Sequence, residues 1–117
     1  MSGSASYQAG LAAEEQVAES YRRGGHPLRN RRWRGKRGEI DLVVEDGEGL
    51  IFVEVKKARD FARAAERITT RQLRRIYDAA AEYLGQMPLG LNTPSRFDVA
   101  LVDGTGRIEI LENAFGH

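Results

Sequence analysis

The chain contains no cysteine, which excludes a disulfide framework, a thiolate metal site and a cysteine nucleophile, so any metal must be held by oxygen or imidazole ligands. Nor does it contain a long hydrophobic run. Nothing approaches the length needed to cross a bilayer, and no basic segment followed by a greasy one marks a secretory signal. A soluble, cytoplasmic protein is expected. Internal repeats and low-complexity tracts are missing. Histidine is scarce, and His26 and His117 have no partner at ligand spacing, which argues against zinc. What is present, in 117 residues that are 41% hydrophobic and 30% charged, is enough for one domain over residues 1–117 with a single core.

The net charge is only +1, but it is unevenly spread. From Arg22 to Arg37 the chain reads "RRGGHPLRNRRWRGKR" without an acid, and a second cluster runs from Lys57 and Arg59 through Arg71 to Arg75. Clusters of this kind attract a phosphate backbone. A solvated face balanced by the 17 acids elsewhere explains them equally well. On the first reading the candidate nucleic-acid contacts are Arg31, Arg32, Arg34, Lys36, Arg37, Lys57, Arg59, Arg71 and Arg75.

Periodicity supplies the elements. Residues 1–5 read as a loose polar start. Ser6 is a candidate N-cap for a helix carrying Leu11, Ala12, Glu14, Val17, Ala18 and Tyr21 at helical spacing, with Gly24-Gly25 as its stop. "HPLRNRRWR" is an ambiguous short strand. "EIDLVVE" and "LIFVEVK", joined by the turn signal "DGEG", predict a hairpin. Residues 62–86, with Ile68, Leu73, Ile76, Ala80, Tyr83 and Leu84 in helical register, predict the longest helix. Beyond "PLGLNTP", the segments "RFDVALVD" and "RIEILEN" predict a second strand pair around "GTG". This order implies an α/β or α+β domain with a mixed sheet.

The hairpin carries the chemistry. Side chains alternate along a strand, so Ile40 and Leu42 are expected on one face and Glu39 and Asp41 on the other; Val53 and Val55 likewise oppose Glu54 and Lys56. A turn at Asp46 to Gly49 makes Asp41 and Glu54 cross-strand neighbours, about 5 Å apart at Cβ. Two adjacent carboxylates repel unless a proton or a cation relieves them. Magnesium suits such a pair, and a lysine two residues on can orient the attacking water and offset charge on a phosphorane-like transition state. That is metal-assisted phosphodiester hydrolysis. A Glu beside a Lys on an exposed sheet is also an ordinary ion pair.

These residues carry a resemblance. "GEIDLVVEDGEGLIFVEVK", preceded by "GLAAEEQVAESY" and followed by "RQLRRIYDAAAEYL", "RFDVALV" and "ENAF", is similar from about Gly10 to Phe115 to the YraN-like family of small bacterial proteins. That family is assigned by fold to the PD-(D/E)XK nuclease superfamily and is similar in layout to archaeal Holliday junction resolvases. The resemblance implies a restriction-endonuclease-like domain, a mixed sheet flanked by helices, with Mg or Mn as cofactor and nucleic acid, DNA above RNA, as substrate. It implies that Asp41, Glu54 and Lys56 are catalytic and that Asp41, Glu54, the Val55 carbonyl and Glu14 hold the metal, Glu14 being favoured over Glu15. Gln72 implies a site or nucleic-acid contact. A homodimer, and action on branched or single-stranded intermediates of repair or recombination, are further implications. No proline precedes Asp41, a departure from the common superfamily pattern.

Each assignment has an alternative. Glu14 and Gln72 are also readable as helix surface, and Glu39 as an acceptor behind the metal ligands or the partner of an arginine. Trp33 suits a core anchor better than a base-stacking platform, and Asp98 is expected to pair with Arg96. The functional expectation is a magnesium-dependent nuclease. Its alternative is a nucleic-acid- or partner-binding module that keeps the fold without cutting.

Overall fold

A computed structural model describes residues 3–114, with side chains from Ala9 onward. Helix α1 (Gly3–Arg23) leads into an antiparallel meander of β1 (Leu28–Arg34), β2 (Glu39–Asp46) and β3 (Gly49–Lys57). Helices α2 (Phe61–Glu66) and α3 (Thr70–Leu84) then cross to β4 (Ser95–Val102), which lies parallel to β3, and β5 (Ile108–Leu111) returns antiparallel. The strands follow the order β1-β2-β3-β4-β5 in one mixed sheet, the α+β class expected.

The sheet is covered on both faces, which is why β3 is buried along its first six residues. Val17, Ala18 and Tyr21 of α1 pack on Leu42, Val44, Ile51, Val53, Ala100 and Val102. The opposite face, Val43, Leu50, Phe52 and Phe97, lies under Ile76, Ala80 and Tyr83 of α3, with α2 over Val99 and Leu101. Trp33 is a core anchor, packed edge-on to Tyr83 at 5.2 Å. The hairpin turn is Gly47-Glu48, with Gly47 at φ +60°, a conformation glycine adopts without penalty. At Gly49 a Cβ would come within 2.5 Å of the Pro94 carbonyl, which accepts from Leu50 N–H at 2.9 Å. Absence of a side chain there lets the start of β4 close on β3.

Three sequence expectations are corrected. Helix α1 starts at Gly3, ahead of the expected Ser6 cap, since residues 3–9 contain no proline or β-branched residue to stop it. The helix expected over 62–86 is broken at Arg67–Thr69, because the Thr69 hydroxyl accepts from Gln72 N–H at 3.1 Å and caps a new helix. This makes α1, at 21 residues against 15 for α3, the longest helix. Ile40 and Leu42 fall in different core clusters, so β2 does not alternate regularly through Asp41. Phe115 and His117 lie outside the described residues.

Asp98 is fully buried on β4 and fully satisfied. It accepts from Tyr21 Oη at 2.7 Å, Arg96 Nε at 3.1 Å and the Asn113 N–H at 2.9 Å, tying α1 and the chain beyond β5 to the sheet. Asp98→Ala is expected to cost about 3 kcal/mol in urea unfolding, because it leaves buried donors unpaired. Tyr21→Phe, which removes one bond and keeps the ring, is expected to cost about 1 kcal/mol; equal losses would show that the Tyr21 bond alone carries what Asp98 contributes, and that Arg96 and Asn113 add nothing.

Candidate active site

The site forms where β2 and β3 part. Their ladder runs from Asp46↔Gly49 to Leu42↔Val53. One step further, Asp41 and Glu54 face each other, and Val55 N–H donates at 2.8 Å to the Asp41 carboxylate. The side chain thus takes a donor that a strand carbonyl would otherwise hold. β2 stays with β1 here, through Trp33↔Ile40 and Arg34↔Glu39.

A cleft of about 360 Å³ occupies the gap, lined by Glu14, Glu39, Asp41, Glu54, Val55 and Lys56, with Gln72, Arg75, Ile76 and Gly38 of the α3 side. Each residue expected to act on or around the metal is therefore in one place, although the residues come from α1, β2, β3 and α3. Lys56 Nζ lies 3.3 Å from Glu54 Oε2, which also accepts from Gln72 Nε2 at 2.8 Å. Gln72 thus holds a catalytic candidate rather than a patch of helix surface. Glu14 is buried and gripped by Arg32, from Nε at 2.8 Å and Nη2 at 3.2 Å. Glu15 is exposed and bonded to Arg31. Glu39 sits at the rim with Arg34 Nη2 at 3.0 Å, so of its two readings the arginine pair is the one formed.

Burial first, then the charge of Asp41, pushes the Glu54 carboxyl from 4.5 up to about 8. Asp41 is also raised, chiefly by burial, while the Val55 N–H and the bond with Glu54 pull it back. The raised Glu54 carboxyl therefore keeps its proton near neutral pH, facing Asp41. Glu14 is raised as well, by burial more than Arg32 restores.

Two adjacent buried carboxyl groups are a donor set that fits a hard divalent ion. Magnesium commonly uses only one or two carboxylates, which Asp41 and Glu54 supply, with the Val55 carbonyl beside them. Among the described residues no group of three or more His, Cys, Asp or Glu side chains is arranged to hold a metal, so Glu14 does not complete a cluster while it is paired with Arg32.

The basic residues divide. Arg31, Arg32 and Arg34 are each taken by an acid. Lys36, Arg37 and Arg75 line a cleft beside the acids, and Lys57 lines another with Arg67. Arg59 and Arg71 are exposed and line neither. Arg67 was legible only as one of a basic run, and the Glu14–Arg32 pair had no signal, since 18 positions separate its members. Among the described residues no helix is long and apolar enough to cross a membrane.

A mixed sheet covered by helices, with an acid pair and a lysine where two strands part, defines a restriction-endonuclease-like domain. The sequence profile of the uncharacterised protein family UPF0102 matches residues 13–102. Similar chains include a UPF0102 protein of Ruegeria pomeroyi, 58% identical over 98% of this chain and 94% of its own. Another, from Cereibacter sphaeroides, is 59% identical over 98% of both, and one from Dinoroseobacter shibae is 41% identical over 95% of this chain and 83% of its own. The chain belongs to the UPF0102 family, the YraN-like family that its motifs resemble.

The proton that Glu54 keeps has a measurable consequence. The unfolded chain ionises Glu54 near 4.5 and the folded one near about 8. Between these values the folded state holds an extra proton, so this group's contribution to stability falls as pH rises from about 4.5 to about 8. Glu54→Gln is expected to raise the melting temperature by about 4 °C or more at pH 8 and by clearly less at pH 5. An equal gain at both pH values would assign the effect to packing.

Proposed function

We propose that this chain is a divalent-metal-dependent nuclease of the PD-(D/E)XK type, hydrolysing phosphodiester bonds of nucleic acid, with DNA in repair or recombination as the favoured substrate. The observation that supports this reading most is the meeting of Asp41, Glu54 and Lys56 in one half-buried cleft. A surface ion pair does not need this burial, which raises the pKa of both acids at a cost to the fold.

Asp41 and Glu54, with the Val55 carbonyl, would hold a magnesium or manganese ion, which when bound supplies Lewis acidity toward a phosphoryl oxygen and acidifies water. The chain's own groups have separate tasks. Val55 N–H fixes the Asp41 carboxylate, and Gln72 fixes Glu54. Lys56 orients the attacking water and offsets charge building on the phosphoryl oxygens. Its link to Glu54 ties its position to the acid pair.

A second reading, a binding module that does not cut, is favoured by one observation: Glu14 is committed to Arg32 and adds no third ligand.

Labelled duplex, single-strand, flap and four-way-junction substrates, with magnesium or manganese, separate the two. The nuclease reading expects cutting that chelation abolishes and that falls about 100-fold or more in Asp41→Ala and Lys56→Ala. A parent protein that shifts a substrate in a gel yet cuts none would hand the site to the binding module.

A further inference from the structure

Most arginines here are neutralised by acids of the same chain. Of the basic residues that are not, two groups stand at opposite ends of the acid cleft. At one end Lys36, Arg37 and Arg75 line a cleft of about 410 Å³ that shares Gly38, Glu39 and Arg75 with the acid cleft. At the other, Lys57 and Arg67 line a cleft of about 580 Å³ that shares Glu14, Val55 and Lys56 with it. The three spaces form one trough, basic at both ends and acidic in the middle. Among the described residues none of these five cations has a carboxylate within ion-pair distance.

The first end is preorganised. Glu82 of α3 accepts from the Lys36 N–H at 2.9 Å and the Arg37 N–H at 3.3 Å, and Gly35 N–H donates to the Gly38 carbonyl at 2.9 Å. A Cβ on Gly35 would collide with Glu82 and Trp33. The loop's backbone therefore faces α3, while the side chains of Lys36 and Arg37 are exposed. At the second end Arg67 Nη1 donates to the Lys57 carbonyl at 2.7 Å, which joins that pair.

We infer that one continuous nucleic-acid strand lies along this trough, its phosphates held by Lys36, Arg37 and Arg75 on one side of the acids and by Lys57 and Arg67 on the other. The acidic centre repels phosphate when no cation is bound, so affinity without metal comes from the two ends. Contacts to phosphate position a strand without reading its bases, so recognition is independent of sequence. Occupying both ends requires a strand that continues past the central bond in both directions, which an end of a chain does not supply. The assignment of the ends stands on charge and shape; only the fate of the central bond rests on the nuclease reading.

The test is fluorescence anisotropy of a labelled single-stranded oligonucleotide of mixed sequence, in chelator and over a salt series, with the parent, Arg37→Ala/Arg75→Ala, Lys57→Ala/Arg67→Ala, and Arg22→Ala/Arg23→Ala as control. Each end variant is expected to bind about 10-fold or more weakly at low salt, with its salt slope shallower by about 1.4 for two lost phosphate contacts. The control, whose arginines pair with Glu19, is expected to match the parent. Since Arg67 also bonds its own backbone, Lys57→Ala alone serves if the double variant melts early, with a slope change of about 0.7. A parent that binds no strand, or parental slopes in either end variant, overturns the trough. Cutting that persists with parental slopes sinks the trough and spares the nuclease; the expected slopes without cutting do the reverse.

Discussion

When β2 leaves β3 beyond Leu42↔Val53, the Val55 N–H must find another acceptor, because a buried amide without one costs about 1–3 kcal/mol. Asp41 supplies it at 2.8 Å. That bond lets the strands part without an orphaned donor and aims the carboxylate across the gap at Glu54. Only through the gap can Glu14, on the helix covering one face, share a cleft with Gln72 and Arg75, on the helix covering the other. Sheet, helices and acids meet because one ladder bond has been exchanged for a side-chain bond.

The exchange sits in a fold that is otherwise conservative. Both faces of β3 are filled with aliphatic and aromatic side chains, and the buried side-chain polar atoms of the described residues all find partners. Against this background the acid pair is an electrostatic cost, carried by a core with more than twenty buried apolar side chains. Asp98 shows that burial alone does not make an acid strained. With three donor residues around it, that carboxylate is satisfied within the chain, whereas Glu54 keeps a proton beside Asp41.

Much of this was legible in the sequence, and the limits have physical causes. The hairpin, its Gly47 turn and the pairing of Asp41 with Glu54 follow from local rules, since a two-residue turn sets the register of everything behind it. Gathering Glu14 and Gln72 into the same cleft depended on family resemblance, because spacing does not say which faces of distant helices converge. Hidden altogether were the break before Thr70, which hangs on one hydroxyl, and the shift of Ile40 to the α3 core, which follows from the parting of strands. Partners of the arginines were equally hidden. Arg31, Arg32 and Arg34 are neighbours in sequence but reach Glu15, Glu14 and Glu39, so a run of like charge conceals which members are already spoken for.

The arginines of β1 have another effect. With the order β1-β2-β3-β4-β5, β1 is a margin of the sheet, presenting backbone groups with no strand beyond them. Such a margin invites growth by another chain. Here it reads "LRNRRWR", slips register between Leu28 and Asn30, and bends at Arg32, whose φ is +50°. An identical margin brought alongside would have to bury four arginines and the acids they pair with, on a bent backbone. This margin is therefore a poor template for a further strand, which keeps it from seeding fibrous aggregates.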